Sequence, residues 1–142
     1  MFIHFEFLSS VYTQNMNSRS LVSAWEAGTL PRSEWTHAAH VTVAAWHVFE
    51  QGAAALDRVR AGILQYNAAV GLVSTPDSGY HETITRFWVE RLAAFFRDQG
   101  PFADQDAAVA AAVQTFGVKR DWLSAHWSFD VIQSREARAA WV

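Results

Sequence analysis

The chain has 142 residues, of which 51% are apolar, 14% are aromatic and only 18% are charged. This length and composition predict one folded domain with a sizeable, aromatic-rich core and exclude a disordered chain. The formal net charge of -3 argues against a nucleic-acid-binding or anionic-membrane-binding surface. The lack of cysteine excludes a disulfide framework, a thiolate zinc site and a cysteine nucleophile. No apolar run is long enough to span a membrane and nothing resembles a signal peptide, so we expect a cytoplasmic protein.

The first 17 residues differ in pattern from the rest of the chain. Their apolar residues follow no helical period, so residues 1–17 are predicted to form an arm outside a helical domain that spans residues 18–142. Met16 is an alternative start, in which case the arm is upstream sequence and not part of the native protein. The first helix is expected at Ser20–Ala27, where Gly28 would end it.

The stretch from Ser33 to Gly52 is predicted to be one helix at the centre of the fold. Ser33 is suited to the N-cap and Gly52 to the C-cap. Apolar side chains cover this helix nearly all round, which is typical of a helix enclosed by its neighbours. One face nevertheless carries His37, His40 and His47. Buried imidazoles need hydrogen-bond partners, so we expect neighbouring helices to supply them.

Apolar residues repeat at helical spacing through most of the remaining chain. Helices are predicted at Ala53–Val70, Tyr80–Asp98, Gln105–Thr115 and Asp121–Trp127, followed by a terminal helix that Ser134 caps. No strand pattern appears outside the N-terminal arm. The predicted fold is therefore all-α: a single-domain bundle of five to seven helices around a central buried helix.

Polar side chains recur on the faces that should be buried in three consecutive helices. Consecutive helices with short connections usually pack side by side, so these faces are predicted to converge on one histidine-lined pocket. His37 and His40 come from the central helix, Arg60 and Asn67 from the next, and His81, Glu82 and Thr85 from the one after that. The predicted ligand-binding residues are Arg60, Asn67, Thr85 and Trp88.

The histidine spacing favours a metal site. His37 and His40 are spaced i, i+3 on one helix face, and His81 from a facing helix could complete three ligands for zinc, iron or manganese. Three protein ligands leave an open position for water or substrate, and Glu82 could be a fourth ligand or a general base. The metal-free alternative has Arg60 binding an anionic group while His37 or His81 moves protons. The predicted catalytic residues are therefore His37, His81 and Glu82.

Each of these residues also has a structural interpretation. A core histidine is often bonded to a carbonyl, and Arg60 can reach solvent along the apolar surface. Three function classes stay open: an enzyme acting on a small molecule, a module that binds a small molecule without chemistry, and a bundle whose polar core fixes helix register. Aromatic residues near the C-terminus favour an interface, such as that of a homodimer. They are Trp122, Trp127 and Trp141, which are equally compatible with positions in the core.

Four segments of the chain resemble a family of small bacterial helical proteins. The segments are WTHAAHVTVA, ILQYN, GYHETITRFW and SREARAAWV. In that family a WTHxAH segment is followed by a GYHET segment and a serine-EAR ending. The resemblance covers residues 18–142 and implies no particular activity. It places His37, His40, Asn67, His81, Glu82 and Thr85 within the family's motif segments.

Overall fold

The structure is a computed structural model that describes residues 17–118 and 120–142, with the backbone alone for residues 120–122. The arm predicted over residues 1–17 therefore lies, apart from Asn17, outside the described residues. The described chain is helical and contains no strand, which confirms the predicted all-α bundle. No described helix is long and apolar enough to cross a membrane. The α-helices are α1 (Ser18–Ala27), α2 (His37–Gln51), α3 (Leu56–Ala69), α4 (Glu82–Gln99), α5 (Gln105–Phe116) and α6 (Arg135–Ala139).

Helix α2 is the central helix of the bundle, as predicted. It packs against α1, α3, α4 and α5, and most of its residues are buried. Small side chains at Ala39, Ala44 and Ala45 allow these neighbours to approach closely. Of its polar residues, Thr42 and His47 are buried against other helices, whereas His40 is exposed.

The central helix begins one turn later than predicted. Ser33 lies in a short 3-10 turn, Arg32–Glu34, so its prediction as the N-cap is wrong. The N-cap is Thr36, whose Oγ1 accepts a hydrogen bond from the backbone N–H of Ala39 at 3.2 Å. At the other end Gly52 closes the helix with a φ of 62°, which favours glycine.

Two other boundaries differ from the predictions for local reasons. Helix α4 starts at Glu82 because the side chain of His81 caps it. The short helix predicted over Asp121–Trp127 is present as a 3-10 helix, Arg120–His126. The predicted cap of the last helix is confirmed, since Ser134 Oγ accepts from the N–H of Ala137 at 3.1 Å.

Helices α1 and α3 approach each other where a tryptophan lies on a glycine. Trp25 is 1% exposed, and a Cβ added to Gly62 would lie only 2.1 Å from its indole. Trp25 also stacks on Trp35, with ring centroids 5.9 Å apart. The hydroxyl of Tyr66 donates to the carbonyl of Leu30 at 2.7 Å and holds the loop after α1 against α3. These contacts set the position of Trp35, which lines a cavity between the helices.

Candidate ligand-binding site

A cavity of about 490 Å³ lies between α2, α3, α4 and the C-terminal segment. Most of its wall is apolar and aromatic, including Trp35, Val41, Ala44, Ile63, Leu72, Ile84, Trp88, Leu123 and Ile132. Its polar lining residues are Thr36, His37, His40, Asn67, Tyr80, His81, Thr85 and Arg138. The volume and the small number of polar groups are those of a small-molecule site.

Six residues that the sequence singled out lie on this wall, and two do not. Those on the wall are His37, His40, Asn67, His81, Thr85 and Trp88. Arg60 and Glu82 are absent from the lining. The helical faces predicted to converge thus meet at one cavity, but individual side chains have roles that the pattern could not specify.

His81 is tied to the protein through both ring nitrogens. Its Nε2–H donates to the carbonyl of Val131 at 2.8 Å, while its Nδ1 accepts from the backbone N–H of Ile84 at 3.2 Å. This pair of contacts fixes one neutral tautomer, because a carbonyl only accepts and an amide N–H only donates. Burial lowers the pKa of His81, and the charge of nearby Arg138 acts in the same direction. The roles predicted for His81 as a proton carrier and metal ligand therefore receive no support from this geometry.

His37 and His40 are oriented by carbonyl groups from different segments of the chain. The Nε2–H of His37 donates to the carbonyl of Phe116 on α5 at 3.0 Å. The Nδ1–H of His40 donates to the carbonyl of Thr36 at 2.7 Å, and its ring stacks on Trp35 with centroids 3.7 Å apart. His37 thus donates through Nε2 and His40 through Nδ1. Each hydrogen bond holds the imidazole ring in a fixed orientation on the cavity wall.

Arg60 and Glu82 form an ion pair between α3 and the start of α4. Arg60 Nε donates to both Glu82 oxygens at 2.9 Å, and its Nη2 also bonds to Oε1. Asp57 accepts from Arg60 Nη1 at 2.7 Å, and the hydroxyl of Tyr80 donates to Glu82 at 2.7 Å. The hydrogen bonds from Arg60 lower the pKa of the Glu82 carboxyl, which stays ionised. This pairing gives no support to a ligand-binding role for Arg60 or a catalytic role for Glu82.

The residues predicted to bind metal are not gathered into a metal-binding group. Within residues 17–118 and 120–142, no three His, Cys, Asp or Glu side chains are arranged to hold a metal ion. His81 has no ring nitrogen left for a metal, since both are hydrogen-bonded to the backbone. The metal site predicted from His37, His40 and His81 therefore receives no support from this geometry and stays a prediction.

Two residues of the cavity lining each hold a buried polar atom that has no hydrogen-bond partner among the described residues. The two atoms are Oδ1 of Asn67 and Nε of Arg138. Asn67 is only 5% exposed, whereas most polar atoms buried to that extent are paired. Thr85 shows the usual outcome, because its hydroxyl donates to the carbonyl of His81 at 2.8 Å. An acceptor on Asn67 and a donor on Arg138 thus lie beside the cavity without a protein partner.

The C-terminal segment closes one side of the cavity, and the sequence did not predict this. Thr83 is fully buried on α4, and its hydroxyl donates to the carbonyl of Ala140 at 2.9 Å and accepts from the N–H of Val142 at 3.2 Å. These bonds hold the tail against α4, where Ile132 and Arg138 reach the cavity. The only available signal was the serine cap of a five-residue helix, which is too short to show a helical period.

The C-terminal tryptophans contact residues of the same chain. Trp127 packs on Trp141 with ring centroids 6.1 Å apart, and the guanidinium of Arg86 lies 4.6 Å from the Trp141 ring. Trp141 is 40% exposed. The side chain of Trp122 lies outside the described residues. The predicted homodimer stays a prediction.

Comparison with family models, with curated proteins and with solved structures gives no significant match. The resemblance carried by the WTHAAH and GYHET segments therefore stays an expectation. What the site does has to be argued from the chemistry of the cavity itself.

Proposed function

We propose that this protein binds a small molecule with an apolar, planar body in the cavity between α2, α3 and α4. The observation that carries the proposal is the unpartnered Oδ1 of Asn67. A buried carbonyl oxygen without a donor costs about 1–3 kcal/mol. A ligand N–H or O–H placed against this oxygen would recover that free energy.

The cavity wall supports an aromatic ligand body. Trp35 and Trp88 contribute large aromatic surfaces, and Ile63 and Ile84 contribute aliphatic ones. Aromatic rings bind one another in stacked and edge-to-face arrangements that add to the gain from apolar burial. A cavity of about 490 Å³ accommodates a ligand of drug-like size.

Binding without chemistry is favoured over the other function classes. Acid–base catalysis by His81 or Glu82 would require each to leave the contacts that hold α4 in place. If the polar residues only fixed the helix register, Asn67 would be expected to have a hydrogen-bond partner in the protein, and side chains would fill the space beside it. An unpaired acceptor beside a cavity is the arrangement expected of a preformed binding site.

Replacing Asn67 by leucine tests the proposal because stability and binding should change in opposite directions. We expect the free energy of unfolding to rise by about 1 kcal/mol, since an unpaired buried oxygen is removed. Wild-type protein should bind indole about fivefold more tightly than benzofuran, its isostere without an N–H donor. The Asn67→Leu variant should bind the two equally. Denaturant unfolding and calorimetric titration measure these quantities.

The control is Gln65→Leu, a similar polar-to-leucine change at an exposed position of α3. It should leave the preference for indole unchanged. Lack of binding of both compounds to wild-type protein would contradict the proposed function. Retention of the preference in Asn67→Leu, or a marked loss of its stability, would show that Asn67 is not an unpaired ligand contact.

A further inference from the structure

Arg138 presents a fixed cationic group to the cavity. Its Nη1 donates to the carbonyl of Gly79 at 2.9 Å, and its Nη2 donates to the carbonyl of Ile132 at 3.2 Å. These bonds tie α6 to the loop before α4 and hold the guanidinium plane in one orientation. Of the five guanidinium N–H donors, the one on Nε is buried and has no partner among the described residues. A rigid guanidinium with a spare donor is suited to bind an oxyanion.

The charge of Arg138 is not neutralised by a described carboxylate. No such oxygen lies within 4.0 Å of it, whereas Arg60 pairs with both Glu82 and Asp57. The hydrogen bonds from Arg135 lower the pKa of Asp77, and the charge of Arg138 acts in the same direction. Both Asp77 oxygens are bound by Arg135 at 2.7 Å. Both ring nitrogens of His81 are hydrogen-bonded to the backbone in a way that requires the neutral tautomer. His81 therefore adds no second positive charge next to Arg138. Arg138 is therefore a positively charged residue of the cavity lining that no described carboxylate pairs within 4.0 Å.

We propose that Arg138 recognises the carboxylate of a small aromatic carboxylic acid bound in the cavity. This inference rests on the proposed function and adds the chemical class of the ligand. A single guanidinium with one spare buried donor matches a monoanion. A phosphate dianion carries more charge than one guanidinium balances, and most of the cavity wall is apolar. Asn67 would at the same time accept a hydrogen bond from an N–H or O–H on the ligand body.

The test compares indole-3-acetate with indole-3-acetamide, which has nearly the same shape but no charge. Wild-type protein should bind the acid about tenfold more tightly than the amide at neutral pH and low salt. In Arg138→Gln this preference should disappear, while the affinity for the amide changes little. Arg135→Gln, which removes the same charge one turn earlier in α6 and away from the cavity, should keep the preference.

A second measurement uses wild-type protein alone, because Arg138→Gln also removes bonds to two carbonyls. In ¹H–¹⁵N spectra the Nε–H resonance of Arg138 should shift when the acid binds and shift much less with the amide. Equal binding of acid and amide, or an unshifted Arg138 resonance, would overturn this inference and leave the proposed function standing. Failure of both compounds to bind would overturn the two proposals together.

Discussion

Replacing Gly62 by alanine is expected to lower the free energy of unfolding by about 3 kcal/mol. At an exposed helical position the same change usually stabilises a protein by about 0.5–1 kcal/mol, because alanine is the better helix former. Gly62 is different because three atoms of the Trp25 indole lie 2.1–2.8 Å from the position of the new Cβ. The indole is rigid and fully enclosed, so α1 and α3 must move apart.

Denaturant unfolding monitored by circular dichroism measures this effect. The matched control is Ala61→Gly at the neighbouring exposed position of α3, which should lose only about 1 kcal/mol through helix propensity. A Gly62→Ala variant as stable as wild type, or more stable, would show that the contact between α1 and α3 is looser than described. Since Trp25 supports Trp35, loss of this contact should also weaken ligand binding.

Replacing His81 by alanine is expected to cost about 3 kcal/mol of stability. The variant loses the N-cap of α4 and leaves the carbonyl of fully buried Val131 without its donor. The sequence alone suggested a catalytic or metal-binding histidine, whose removal would affect binding more than folding. The two backbone contacts of His81 predict a larger effect on folding. His81→Asn should recover part of the loss, because asparagine is a good N-cap residue but cannot reproduce both contacts.

The contribution of His81 should also depend on pH. Its pKa in the folded state lies below the usual value of 6.5 because the ring is buried, so the folded protein takes up the proton less readily than the unfolded chain does. Stability from the neutral ring is therefore complete above about pH 6.5 and is lost as the pH falls towards the folded-state pKa. The free energy of unfolding of wild-type protein should decrease over this range more steeply than that of His81→Ala. Parallel pH profiles for the two proteins would contradict the assignment.

The fold could be predicted from the sequence because helical periodicity is a strong signal over long segments. Apolar spacing indicated which faces of α2, α3 and α4 are buried, and polar residues on those faces lie on one cavity. Helix starts were less predictable, because several residues near each start can cap. Thr36 replaces Ser33 as the cap of α2 because an additional 3-10 turn precedes that helix.

The detailed roles of the site residues depend on contacts between distant segments, which periodicity does not specify. Arg60 and Glu82 are 22 residues apart in the chain and form an ion pair with each other. Neither side chain lines the cavity as the pattern predicted. Their opposite charges on facing helices were the signal that could have revealed the pair. The position of Arg138 at the cavity could not be predicted from periodicity. It lies on a helix of only five residues, which is too short for its buried face to be recognised from residue spacing.

The most direct test of ligand binding in the cavity uses the isoleucines of the chain. There are four of them, and Ile63, Ile84 and Ile132 all line the cavity, while Ile3 lies outside the described residues. In spectra of protein labelled at the isoleucine δ1 methyl groups, indole-3-acetamide should shift the signals of these three residues. Ala44→Leu, which places a larger side chain in the cavity, should abolish the shifts, whereas Ala110→Leu on the exposed face of α5 should not. Binding that leaves the three methyl signals unchanged, or that persists in Ala44→Leu, would contradict a ligand site in this cavity.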